Sequence, residues 1–225
     1  MCLCLINTGM KIHELLQETP LPDDWDKSAY KSNTSFASRL RYAKERAKRI
    51  GGGSSRVAFE IEHEGRPTIL KIAKNKKGLA QNDYESSILN DYTLTIAIPM
   101  IDYDEENDPP TWIHTEKAEK MKPTQFKKFF NGLTPDEVVH LVMVMSGKFR
   151  DVAEPSPEVK QRYEEIWEDN ETINSLTDVV GSYDMHPGEF SMLSNWGIYK
   201  GEPVLIDVGG SSQVISQHYS PKQQY

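Results

Sequence analysis

Apolar and polar positions alternate at Val57, Phe59 and Ile61, and again through Thr68-Ile-Leu-Lys-Ile-Ala73. A period of two argues for strands, and His63-Glu-Gly-Arg-Pro67 between them reads as a turn, so the pair predicts a hairpin. Ahead of it, Leu40, Ala43, Ala47 and Ile50 recur at helical spacing and predict a helix over residues 36–49 with a thin apolar stripe. A shorter helix is expected over residues 11–18, broken by Pro20 and Pro22. After the hairpin, Leu79, Ile88, Leu89 and Tyr92 suit a helix over 79–91. Residues 94–101 and 111–116 read as further strands either side of the acidic loop 102–110.

The second half changes period. Thr134-Pro-Asp-Glu137 has the form of a capping box with proline at the first helical position. The helix it opens is apolar nearly all round, from Val138 to Met145, which predicts burial, and Gly147 can end it. Ser156-Pro-Glu starts a longer helix, with apolar positions from Val159 to Val180, expected to stop at Gly181. A last hairpin is expected from Gly197-Ile-Tyr-Lys and Pro203-Val-Leu-Ile-Asp-Val208, turning at Gly201-Glu202. The pattern predicts an α+β chain: an extension over 1–49, a strand-rich part over 50–118 with one internal helix, and a mainly helical part over 119–225.

Composition narrows the function classes. Of 225 residues, 37% are hydrophobic and 27% charged, enough for a real core. The net charge of -8 argues against general binding to nucleic acid or anionic membrane. No apolar run approaches the roughly 18 residues that span a bilayer. Residues 1–9 are apolar without a basic leader, and Met10 opens a more ordinary beginning, so they read as a start artefact or a disordered tip. The only cysteines, Cys2 and Cys4, lie there, which argues against a disulfide framework or zinc site and fits a reducing cytoplasm. The basic face of the 36–49 helix (Arg39, Arg41, Lys44, Arg46, Lys48, Arg49) reads as solvated beside an acidic body, or as a dock for an acidic partner.

Three features carry candidate chemistry. Asn195 and Asp207 stand six residues either side of Gly201, so a turn centred there brings them together, a hard-oxygen pair suited to Mg²⁺. The bland alternative is a turn Asn and a loop-capping Asp. Lys71 sits in an apolar strand on the face of Ile69 and Ala73 and needs an anion, for which Glu85 on the next helix is the candidate. A snorkelling surface lysine is the alternative. Gly51, Gly52, Gly53 and Ser54 precede a strand rather than a helix. They are therefore no dinucleotide fingerprint or Walker loop, but either a flap over phosphates or a flexible linker.

Their order resembles the signature set of the protein-kinase-like family: glycine loop, strand lysine, helix glutamate, aspartate after a hairpin. The likeness covers roughly residues 50–215 and looks closest to small bacteriophage kinase-like proteins and aminoglycoside-phosphotransferase-type kinases. It implies a two-lobed fold binding Mg²⁺·ATP between the lobes. Lys71 would hold phosphates and Glu85 would be its partner. Trp112-Ile-His-Thr-Glu-Lys-Ala118 would be strand and hinge, with Glu116 to Ala118 offering backbone groups to the adenine. Asn195 and Asp207 would hold Mg²⁺. The base slot has two candidates. Asp184, in Asp184-Met-His-Pro-Gly-Glu189, has the family's residue type and is slightly favoured, with His186 read as loop packing. Glu189 has the family's spacing to Asp207 and stays open. Departures are the glycine register, Glu189 where Asn is usual, and only 18 residues after Asp207, too few for an activation segment and substrate-binding helices. Three readings follow: a phosphotransferase acting on an unknown protein or small-molecule hydroxyl, in host cytoplasm if phage-encoded; a pseudokinase binding nucleotide or protein; or an unrelated α+β interaction protein.

Overall fold

The computed structural model describes Tyr30 and residues 35–91, 94–147 and 155–219. The helix expected over 11–18 and the tip 1–9 lie outside them. Helix α1 spans Phe36–Arg46 and starts where the Ser35 side chain accepts from Ser38 N. It stops earlier than expected. Ala47 is already extended, and Lys48–Gly52 forms strand β1. β-branched Ile50 and two glycines make a poor helix end, whereas an unpaired edge of the next strand offers β1 backbone partners. Ile50 is the extra residue of a bulge between Arg49 and Gly51, and is 47% exposed rather than part of an apolar stripe.

Strands β2 (Arg56–His63) and β3 (Arg66–Ala73) form the expected hairpin. Glu64 and Gly65 both take positive φ, as a two-residue turn between twisted strands requires. Helix α2 follows (Lys76–Leu89), capped by Asn75, then β4 (Met100–Tyr103) and β5 (Trp112–Glu116). The five strands make one antiparallel sheet in the order β1-β2-β3-β5-β4. Cross-strand partners share a face. Val57, Phe59, Ile61, Leu70, Ile72 and Trp112 pack on one side beneath Tyr42 and Ala43 of α1. The other side presents Arg56, Ala58, Lys71, Ala73 and Ile113.

Residues 94–99 are not the expected strand. Pro99 cannot donate, and the segment instead bonds across to the far hairpin, Leu205 N donating to Ile96 O (2.7 Å) and Ile98 N to Leu205 O (2.9 Å).

The rest is mainly helical. Strand β6 (Glu119–Lys120) is followed by α3 (Pro123–Phe129) and α4 (Pro135–Met145), whose capping box is as expected. The long helix expected from Ser156 is two, α5 (Pro157–Asp169) and α6 (Glu171–Ser182), with Gly181 inside the second. Asn170 breaks them. Its Oδ1 caps α6 at Ile173 N (3.1 Å), while its Nδ2 donates to Phe129 O (2.9 Å) and Asn131 Oδ1 (3.0 Å). Short α7 (Gly188–Ser191) and a 3-10 turn (Leu193–Asn195) lead into β7 (Trp196–Tyr199), β8 (Glu202–Leu205) and α8 (Ser212–His218). β6, β7 and β8 form a second sheet. Trp196 fills the helical core against Phe126 and Phe130.

This is the expected α+β fold class, a sheet-based half and a mainly helical half, but the sheet carries two helices, α1 on one face and α2 on the other, rather than one. Among the described residues no helix is long and apolar enough to cross a membrane.

Candidate functional site

Period two puts Lys71 on the sheet face opposite the α1 core, and α2 crosses that face. Glu85, fully buried on α2, takes Lys71 Nζ in an ion pair. Lys71 Nζ also donates to Ile206 O at 2.6 Å, which ties β3 to the segment after β8. The expected pair is thus present, and it lies beside Asp207.

A residue not singled out from the sequence completes the cluster. Arg56, first in β2 and 6% exposed, sits on the face of Lys71. Its guanidinium bridges two carboxylates, Nη1 on Glu85 and Nη2 on Asp207, with Asn82 Oδ1 3.4 Å from Nη1. The seat is shaped for it, since a Cβ at Gly209 would come within 2.8 Å of Nη2. Burial works against the charge on Arg56, but Asp207 and Glu85 outweigh it and raise its pKa. Burial likewise works against the Asp207 carboxylate. Arg56, then Lys71, outweigh that and lower its pKa. Asp207 stands among these groups, yet 46% of its side chain is exposed. The signal for Arg56 was in the chain: positions 56 and 58 fall on the face of Lys71 by alternation alone.

Glu189 converges on the same cluster. Burial first and Asp207 second, with Glu85 adding, push its carboxyl up to about 8, against the pull of Arg56 and Lys71. Gly210 makes room for it, because a Cβ there would lie 2.0 Å from Oε1. Asp184, favoured on residue type, is exposed at positive φ (54°) before the loop, its carbonyl accepting from Ser212 N (3.2 Å). The structure brings Glu189, not Asp184, against Asp207. His186 packs the loop as expected, its backbone N–H donating to Gly210 O (2.8 Å) and its ring Nδ1 accepting from Gly188 N (3.1 Å).

Asn195 and Asp207 are not the facing pair expected. The turn is Lys200-Gly201, both at positive φ, so Trp196 pairs with Leu205 and Asn195 O accepts from Ile206 N (2.8 Å). The Asn195 Nδ2 donates to the Glu189 carbonyl and to Glu189 Oε2, each at 3.1 Å. A carbonyl oxygen can only accept, which fixes that end of the amide as the NH₂. Asn195 therefore turns a donor, not an oxygen, to the cluster, and Asp207 is held by Arg56. As arranged, these residues do not fit a two-ligand magnesium site.

The glycine segment is fastened down rather than free. Gly51 and Gly52 lie in β1, Gly53 and Ser54 in the turn before β2. Lys74 N donates to Ser55 O (2.7 Å), Lys74 Nζ to Gly53 O (2.8 Å), Asn75 Nδ2 to Ser54 O (3.0 Å) and Lys77 Nζ to Ser54 Oγ (3.3 Å). Tyr219 covers the same end. Its hydroxyl accepts from Gln81 Nε2 (3.3 Å), and Lys77 Nζ stands 3.2 Å above its ring. Where a hinge was expected, Glu116 N donates to Pro99 O (3.0 Å) and its carboxylate pairs with Arg66, so that N–H is taken. Ala118 packs on β7, where a Cβ at Gly197 would lie 2.6 Å from its own.

No family model matches the chain, and no curated protein does. Among solved structures, two of the PknI kinase domain of Mycobacterium tuberculosis are similar at 15% identity and a TM-score of 0.34. The match covers 74% of this chain and 59% and 58% of the two kinase chains, so this chain spans less than two thirds of their length. A likeness of that size carries no argument about what the cleft does.

Proposed function

We propose that the chain is a kinase-like phosphotransferase that takes ATP between the sheet half and the helical half. The observation carrying this reading is the convergence of Lys71, Glu85, Asp207 and Glu189 from β3, α2, the segment after β8 and α7. Lys71, anchored by buried Glu85, is the group to hold phosphates at a fixed point. Lys74 and Lys77 add positive charge beside the glycine turn. In this reading Glu189 takes the proton of an acceptor hydroxyl as that hydroxyl's oxygen bonds to the γ-phosphorus and the bond to ADP breaks. A carboxyl raised toward neutrality suits that exchange. The acceptor is a protein or small-molecule hydroxyl, and a reducing cytoplasm is the setting the two N-terminal cysteines fit.

A second reading, a pseudokinase that binds without transfer, is favoured by the engagement of Asp207 with Arg56 and of Glu189 with Asn195.

One experiment separates them: melting curves with and without ATP, alongside release of labelled phosphate from ATP, for wild type and Glu189→Gln. Binding at about 100 times Kd should stabilise by ~2.7 kcal/mol. The phosphotransferase reading expects the melting shift in both proteins and ATP consumption in wild type only. A shift without consumption in either selects the pseudokinase. No shift with ATP removes the phosphotransferase and leaves a pseudokinase that binds protein without nucleotide.

A further inference from the structure

We infer that Arg56 takes on Asp207 the place a divalent cation would fill, so that the cleft binds nucleotide phosphates without metal. The inference rests on the nucleotide reading above and deepens it. Arg56 is built in, not merely nearby. It is buried and fixed by two carboxylates and by Asn82, in space left by the missing side chain of Gly209. Gly209 also donates its backbone N–H to the Asp207 carboxylate. Asp207 Oδ1 thus already faces a guanidinium, with the Lys71 ammonium acting on the carboxylate from nearby, where a metal's charge would stand. Its expected co-ligand Asn195 turns its NH₂ inward and spends it on Glu189.

Charge counting agrees. Arg56 and Lys71 balance Glu85 and Asp207 one for one, so these four groups, Glu189 aside, are neutral before any metal enters. In a site that relies on Mg²⁺, the aspartate's charge is left for the ion to neutralise. Here the protein supplies the cation, on a planar fork that matches two carboxylates at once. Displacing it would strand Asp207 with one fewer cation and leave Glu85 to Lys71 alone.

The test is a set of melting curves of the full chain with ATP plus EDTA, ATP plus Mg²⁺, and Mg²⁺ alone. The expected result is the same ATP shift in EDTA as in Mg²⁺, and no shift with Mg²⁺ alone. An ATP shift seen only with Mg²⁺ overturns the inference and leaves the nucleotide reading standing. No ATP shift under either condition overturns the nucleotide reading itself. Calorimetric titration of Arg56→Gln with ATP in EDTA should show a loss of affinity of about tenfold or more, as for one charged contact. Unchanged affinity overturns the role of Arg56. If circular dichroism shows the Gln variant unfolded, Arg56→Lys, which keeps the charge but not the fork, serves in its place. It is expected to bind more weakly than wild type in EDTA, and equal binding counts against the inference.

Discussion

His114 shows how one side chain can govern acid stability away from the cleft. It is fully buried in β5, its Nε2 2.7 Å from Thr68 Oγ1 and its ring edge-on to His63. Burial, then His63 and Arg66, lower its pKa from 6.5 to about 3. Between those values the unfolded chain binds a proton that the folded chain refuses. Its contribution is therefore complete at neutral pH and is lost as pH falls below about 6.5, by ~1.4 kcal/mol per pH unit. Urea melts at pH 7, 6 and 5 should show that slope in wild type and a shallower one in His114→Gln. An equal slope in both proteins would assign acid sensitivity elsewhere. Lys71→Met tests the cleft at the same scale. Glu85 keeps Arg56, so the expected stability loss is about 1–3 kcal/mol rather than that of an orphaned buried charge. The ATP shift, by contrast, should vanish. The Lys71–Glu85 pair was legible in the sequence because a lysine on an apolar strand must find an anion. Arg56 is hard to read from the sequence because it adjoins a Gly-Gly-Gly-Ser-Ser run, where loop chemistry hides that alternation has already begun. Glu189 rather than Asp184 is the carboxylate that feels Asp207 because residue type says nothing about where a loop entered at positive φ aims its carboxylates.

Elements were readable where one period held and misread where two competed. β2, β3 and α4 follow their patterns closely. The helix expected over 36–49 gave way to β1 because its last residues gain a sheet edge, and the helix from Ser156 split because Asn170 finds three partners only by leaving the helix. Gly78 illustrates a constraint no periodicity reveals. It lies in the first turn of α2, yet a Cβ there would stand 2.2 Å from Ser55 O. Gly78→Ala should gain about 1 kcal/mol of helix propensity and still destabilise, because the glycine turn must lift from α2. A urea midpoint higher than wild type would show that the turn yields freely.

For the whole molecule, stability and site share one support. Trp196 is fully buried among Phe126 and Phe130, and its indole N–H donates to Phe190 O (2.9 Å), next to Glu189 and Asn195. Trp196→Ala should cost about 3–5 kcal/mol by denaturation. Phosphate release from ATP should fall with it even where the fold persists, since α7 loses the contact that seats Glu189. The α+β class was legible from strand-period alternation in the first half and helical spacing from Thr134 onward, but the register of the last hairpin was not. Whether a turn centres on Gly201 or on Lys200-Gly201 moves every partner by one, and only backbone dihedrals decide it. Arg56 and Asp207 are 151 positions apart. A ribosome releases the first long before the second. A nascent chain that has folded its sheet and α2 holds Glu85 between two cations, Arg56 and Lys71, with one positive charge in excess. It keeps that surplus until the last hairpin emerges and the Asp207 carboxylate neutralises it.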